Sequence, residues 1–536
     1  MARRALLCRL TLLVVGLGFV IPLAACGRCG PERGLRHSVR FPMPSDPSDL
    51  SFARARDAWS LALTELIGDT LVSYDAKMRV LPRIASSWEW SDDHLSLVFH
   101  LRDDAFWHDG VPVTSADVVR TVEVFKDLKL GTSTRAAGFS KILRAETIDP
   151  HTVRVIYSLP SASALAGWTA PLIPAHRPLD DPQLVGCGPW IFERWETGER
   201  IVLRANKTHF ADPPHLDELD FEVLGDPATR FAALKTGRID ASGLLSSQYK
   251  QIQADETLKK RWRYSEYRIL YFWYLAWRMD AQDSLFAEAS VRRAMTQAID
   301  RQGFLDRFGF DAEVASSSFH PDSPAFDKSI QAWSYDPDEA RRLLREAGWI
   351  DRDGNGVLDR DGRPFRFRLI FSRTSGETEK IATVVQSDLR EVGVVMELEP
   401  LEWAVFLDRA RGHDYDALMS GWRLDPDPDP FDLWHSSQAE APGANYAGLR
   451  DAQIDEWIEQ AQQTFDDDAR RQIYYRIQQR LHQLQPDTFF FYPRSRLAID
   501  RRLQGMKGTP LGPLRFVPGP AAWKWSTEPL GEDETR

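Results

Sequence analysis

Two hydrophobic rhythms run along this chain. Leu95, Leu97, Phe99 and Leu101 alternate with more polar residues, as do Phe365, Phe367, Leu369 and Phe371, and more briefly Val394, Met396 and Leu398. A period of two predicts half-buried strands. Other segments carry apolar residues three and four apart and announce helices at their ends. Thr114 with Asp117 forms a capping box ahead of Val118, Val122 and Phe125. Asp226-Pro227 opens a helix that stops at Gly237, and Asp336-Pro337 opens one that stops at Gly348, with Ala340, Leu343, Leu344 and Ala347 inward. Asp accepts backbone N–H bonds, Pro fits the first turn and Gly takes the left-handed exit. Ile454, Trp457, Ile458, Ala461 and Phe465 line one further helical face, and Ile473, Ile477, Leu481 and Leu484 the next. Strands and helices alternate irregularly and without internal repeat, so the fold class is mixed α/β.

The first residues follow neither rhythm. Arg3, Arg4 and Arg9 give a positive start, and an apolar run extends from Leu10 to Ala25. That order is expected of a secretory signal over 1–25. A spanning anchor is the alternative, but a membrane helix needs roughly 20 apolar residues, and this shorter run contains Gly16, Gly18 and Pro22. Leu23-Ala24-Ala25-Cys26 resembles a bacterial lipobox. The resemblance implies acylation of Cys26, a tether over 26–35 and a body held at a membrane surface outside the cytoplasm.

At 536 residues, with 43% hydrophobic and 11% aromatic residues, the chain is expected to fold as two or three globular domains. The formal charge is −11, and loss of the three signal arginines leaves −14, which argues against a nucleic-acid partner. Of the four cysteines, Cys8 leaves with the signal and Cys26 is the lipid site. Cys29 lies in the tether, far from Cys187, so the core rather than a disulfide is expected to hold the fold.

No H-E-x-x-H, no G-x-S-x-G and no Gly-rich phosphate loop is present, and the 12 histidines are scattered. Asp351, Asp353, Asn355 and Asp359 fall at positions one, three, five and nine of a calcium-type loop, with Gly356 at six. Position twelve is Gly362 instead of a bidentate Glu, and a hairpin between Trp349 and the strand beginning at Phe365 is the preferred reading of the loop. These four residues are the candidates for a bound metal ion, and no cofactor is implied. A metal-dependent extracellular enzyme is the rival class.

Five segments in order resemble the extracellular solute-binding proteins of family 5, the oligopeptide and dipeptide receptors of ABC importers. They are Leu81–Trp88 running on to Phe99–Gly110; Gly186-Cys187-Gly188-Pro189-Trp190 with Asn206; Ala233–Asp240; Val291–Arg301; and Tyr335–Trp349. The resemblance spans about Val39 to Trp525. It implies a two-lobed clamshell of the periplasmic-binding-protein type (class II-like) with an additional third domain. Lobe I would comprise 36–72, 183–268 and 490–536, the extra domain 73–182, and lobe II 269–489. Closure on a ligand would present one form to a membrane permease and its ATPase. The chain would act as a monomer without nucleic acid.

The resemblance also carries the candidate site. In Gly421-Trp422-Arg423-Leu424-Asp425, Asp425 matches the family's ammonium-gripping Asp, and Trp422 and Trp403 are candidate aromatic walls. Arg278 and Arg373 are candidates for a ligand carboxylate, Arg278 standing where peptide binders commonly have Asn, with simple exposure to solvent the preferred reading of Arg278. The other reading of Asp425-Pro426-Asp427-Pro428-Asp429-Pro430 is a stiff turn, because Pro428 and Pro430 impose extended backbone on the residues before them. Asp427 and Asp429 are expected to be solvated or structural. Peptide is the expected cargo; an oligosaccharide, an opine or a metal chelate is the alternative, with His435 the residue to examine for a chelate.

Overall fold

In the computed structural model, which describes residues 37–526 apart from 128, 131–132, 212 and 374–375, the alternating segment around Phe99 forms the strand Ser96–Leu101. Its Leu97, Phe99 and Leu101 are buried and Ser96, Val98 and His100 half-buried. The signal, Cys26, the tether and Cys29 lie outside the described residues. Ala85–Trp90, Ser96–Leu101, Thr152–Tyr157 and Ile142–Asp149 make an antiparallel sheet in that order. The helix Ser115–Lys126 covers it from the predicted cap, where the Thr114 N–H donates to Asp117 Oδ2 at 2.8 Å. The same carboxylate accepts from Trp107 Nε1 at 3.3 Å and, through Oδ1, from the Ala175 N–H at 2.7 Å.

A second four-stranded sheet takes Ser38–Met43, Glu218–Val223, Arg200–Ala205 and Trp190–Glu196 in that order, the first pair parallel. It shares one core cluster with the first sheet, through Val39, Phe41, Trp190, Phe221, Phe99 and Trp168. The Gly186-Cys187-Gly188 turn joins the two. The Gly188 N–H donates to Ile67 O at 2.9 Å, and a Cβ on Gly186 would lie 2.0 Å from that oxygen, so the turn sits directly on the end of the helix Ala58–Ile67. His108 clamps the turn: its Nδ1 accepts from the Gly186 N–H and its Nε2 donates to Gly188 O, the neutral form that burial favours by pushing its pKa down to about 4. Burial raises the Cys187 thiol far above its ordinary value.

The third sheet is mixed and eight-stranded. Its path runs Ala241–Gly243, Asp487–Asp500, Tyr271–Trp277, Ala417–Arg423, Arg366–Ser372, Val395–Leu401, and Trp262–Arg268 and Ala312–Val314 also pair with Asp487–Asp500. Both faces of its central strands are covered, which is why they read as continuous apolar runs. Leu275, Trp277, Leu369, Phe371, Ala417 and Met419 enter one core cluster; Phe272, Tyr274, Ala276, Ile370 and Leu418 enter the other. Phe490 is the extra residue of a bulge between Trp273 and Tyr274, so Phe490 and Phe491 share one face while Phe489 and Tyr492 take the other. The strand Asp487–Asp500 runs unbroken through residue 490.

The helices Pro227–Thr236 and Pro337–Glu346 begin at their Asp-Pro caps, with Gly237 and Gly348 left-handed at φ 75° and 84°. One expectation fails at its edge. The helix beginning at Ala452 ends at Gln463, so Phe465 is not on its face; the ring leaves the core and stacks on His94 at 3.9 Å between centroids, with Trp90 at 5.0 Å.

Candidate ligand-binding cleft

A cavity of about 1110 Å³ opens between the helix Ala58–Ile67, the segment around Arg135, the C-terminal stretch 510–521 and the Asp-Pro loop. The loop exists because the strand Ala417–Arg423 runs out. The Leu424 N–H still pairs with Leu270 O at 2.9 Å, and Pro426, Pro428 and Pro430 then supply no donors. Gly421 has a packing reason: a Cβ there would lie 1.8 Å from the Tyr271 hydroxyl, a residue that lines the cleft.

The loop carboxylates divide by partner. Asp427 takes a two-pronged ion pair from Arg470 at 2.6 and 3.1 Å. Asp429 accepts from the Phe431 N–H at 3.0 Å and from Gln462 Nε2 at 2.8 Å. These two serve the loop, as expected. Asp425 lines the cavity with no hydrogen bond or ion pair to any described residue. The residue is exposed to the water of the cleft, with the loop and the cleft wall crowding its carboxylate. That crowding, offset only in part by Arg423 and Arg515 and reinforced by Asp427, holds its carboxyl above the ordinary value. The Tyr74 hydroxyl sits in the same field; burial and the charges of Asp427 and Asp425 keep it protonated.

The facing wall is cationic and tightly paired. Glu65 accepts from Arg515 Nε and Nη2 at 2.9 and 2.8 Å and from Arg135 Nη2 at 2.9 Å. Burial alone would raise the Glu65 carboxyl, but Arg515 and Arg135 overcome it and hold the group below its usual value. Asp69 accepts from Arg83 at 2.6 and 3.1 Å and pairs with His209 Nε2 at 2.9 Å. Against the cost of its burial, Arg83 and His209 bring it down to about 2. Residues 141 and 162 reach across to the loop side: Lys141 Nζ donates to Gln462 Oε1 at 3.3 Å and the Ala162 N–H to Gln462 O at 2.8 Å.

The structure brings Asp425 and Trp422 together in this cleft and leaves the other candidates outside its lining. Trp403 opens the helix Trp403–Arg411, 49% exposed, with its ring stacked on Phe406. Arg278 is engaged by Asp280 at 3.2 Å and lies over the Tyr415 ring, and Arg373 by Glu402 at 2.8 Å. In each case a charged or apolar neighbour takes the group that a ligand would need. His435 also lies outside the lining, stacked on Phe431 and bonded to Ser437. Asp351 and Asp353 turn onto their own loop, accepting from the N–H groups of Gly354, Gly356 and Asn355, while Asp359 pairs with Arg352 at 2.6 Å. Among the described residues no cluster of three or more His, Cys, Asp or Glu side chains is placed to hold a metal ion, and no helix is long and apolar enough to cross a membrane. Tyr74, Glu65, Arg135 and Arg515 had no local signal, since positions 65, 135 and 515 meet only in the fold.

A body with three large sheets around such a cleft has a family. Residues 79–443 match the model of bacterial extracellular solute-binding proteins, family 5 Middle. The chain belongs to that family. This solute-binding protein is 28% identical over 489 residues to the oligopeptide-binding protein AppA of Bacillus subtilis, covering 87% of this chain and 88% of that one. It is 24% identical to the nickel-binding periplasmic protein of Escherichia coli, over 78% and 82% of the two chains. The solved structure of Bacillus subtilis AppA in complex with a nonapeptide matches with a TM-score of 0.73 at 26% identity, over 92% of this chain and all of that one. The fold is therefore the clamshell with an added domain, and the family is one of extracellular solute-binding proteins.

Proposed function

We propose that this solute-binding protein captures peptides outside the cytoplasmic membrane and delivers them, by closure of its lobes, to an ABC permease and ATPase. In this reading it acts as a monomer tethered through acylated Cys26. The observation that carries the peptide assignment is Asp425: an unpartnered carboxylate in a cleft whose other loop carboxylates, Asp427 and Asp429, are engaged by protein. A ligand ammonium supplies the missing donor, and such a charge-assisted contact is about twice as strong as a neutral one. The cavity, about 1110 Å³, exceeds the roughly 300–1,000 Å³ typical of small-molecule pockets, which suits several linked residues. Resemblance to AppA points the same way. The nickel-binding relative keeps a nonpeptide cargo as the second reading, although His435 does not line this cleft.

Native mass spectrometry of the lipid-free protein as purified, before and after partial unfolding, tests the assignment. The expected result is a series of adduct masses fitting short peptides, lost in Asp425→Asn. One nonpeptide mass retained in that variant would overturn it.

A further inference from the structure

Arg423 stands two residues before Asp425, ends the strand Ala417–Arg423 and lines the same cavity. Its backbone pairs with Tyr271, but its exposed side chain has no hydrogen bond and no ion pair among the described residues. Arg515, Asp425 and Glu65 line the same cavity; Arg515 repels its charge, and Asp425 and Glu65 attract it. Glu65 is already committed: three guanidinium donors, from Arg135 and Arg515, converge on its two oxygens. Arg515 therefore brings surplus positive charge to the place that Arg423 faces. Two guanidinium groups lining one cavity repel each other, and an anion between them relieves that repulsion while filling the unused donors of Arg423.

Arg423 and Asp425 also share a direction. The chain stays extended through Leu424, which still pairs with Leu270. Side chains two apart on an extended segment point the same way, with their Cα atoms about 7 Å apart. The cleft thus offers a carboxylate and a guanidinium side by side, each without a protein partner.

Resting on the peptide reading above, we propose that Arg423, backed by Arg515, is an anion subsite that reads the side chain of the ligand's first residue. The cargo it selects is a peptide beginning with Asp or Glu. The ammonium of that residue meets Asp425, and its side-chain carboxylate meets Arg423, in the two-pronged geometry that a guanidinium offers and a lysine does not.

Isothermal titration calorimetry with the tripeptides Glu-Ala-Ala and Gln-Ala-Ala, which differ only in that charge, tests the subsite. The wild-type protein is expected to bind the first about tenfold more tightly or better, the size of one charge-assisted hydrogen bond. Arg423→Gln is expected to abolish the difference and Arg423→Lys to retain part of it. Equal affinities in the wild type, or a preference that survives Arg423→Gln, would overturn the proposal; the wild-type comparison needs no variant to fold. If neither tripeptide nor Ala-Ala-Ala binds, the peptide reading fails separately, and the subsite is then judged on the native cargo of both proteins by mass spectrometry. An anionic cargo held by wild type and lost from Arg423→Gln keeps the subsite; a cargo without an anionic group, or the same cargo in both, removes it.

Discussion

Replacing Glu65 with Gln should loosen the cleft wall without altering its shape. The amide keeps the size of the carboxylate but withdraws the only charge that joins Arg135 to Arg515, and leaves two guanidinium groups facing each other. Removing one partner from a fully buried ion pair costs about 3–5 kcal/mol. Here Glu65 is 17% exposed, Arg135 10% and Arg515 27%, so water screens part of that and about 2–3 kcal/mol is the expected loss at neutral pH. With an unfolding entropy of about 2.1 cal/mol/K per residue, a chain of this size that melts as one unit would lose about 2–3 °C in Tm. The pH dependence has a definite sign. Glu65 is held below its ordinary value of 4.5 in the folded protein. Its contribution is therefore complete above that value and is lost as pH falls through the lower, folded one. Differential scanning calorimetry of both proteins from pH 7 to pH 3 should show a gap that closes with acidification. A gap below about 1 °C at pH 7, or one that stays constant over the range, would show that the triad is screened like a surface pair and refute the reasoning.

Two further outcomes are expected elsewhere. Phe465→Ala removes the ring that stacks on His94 and packs against Trp90; an aromatic contact of about 0.5–1.5 kcal/mol predicts a ligand off-rate about 2- to 12-fold faster by stopped-flow fluorescence, and an unchanged rate would show that the contact survives release. Adding calcium to about 1 mM should leave the melting temperature unchanged, because Asp351 and Asp353 are engaged by their own loop; a rise of several degrees would mean that they exchange those bonds for the ion.

Features set by neighbours in sequence were legible. The Thr114–Asp117 cap, the Asp-Pro starts at 226 and 336, the Gly exits and the alternation around Phe99 each depend on a few adjacent residues, and each appears where its residues placed it. Errors begin where a distant partner decides. Phe465 continues the periodicity of the preceding helix, yet the chain leaves the helix after Gln463 and the ring answers to His94, some 370 residues away. Arg373 is taken by Glu402, 29 positions on, and even Arg278 is taken by Asp280, whose two-residue spacing permits the pair without dictating it. Trp403 is an aromatic near a motif, and nothing local says which way a helix start will point. The cleft wall itself was invisible: Glu65, Arg135 and Arg515 mean nothing apart, and 450 positions separate the first from the last. Arg423 stood in plain view inside the motif, but its lack of a partner is a property of the fold alone.

The strand Asp487–Asp500 has a mechanical consequence. Its first half pairs with Tyr271–Trp277 and its second with Trp262–Arg268, so both segments bound to it are one stretch of chain interrupted only at Ile269-Leu270. Opposite that interruption stands Pro493, which has no N–H to give. At that break the Ile269 N–H still donates to Pro493 O at 3.2 Å, and Ala312 pairs with Pro493 from the other edge, so one strand ties three segments together there. Ile269, Leu270 and Tyr271 at that spot also line the cavity. A molecule resting on them therefore touches the one ribbon of chain that carries both pairings, as well as the loop and helix that face it.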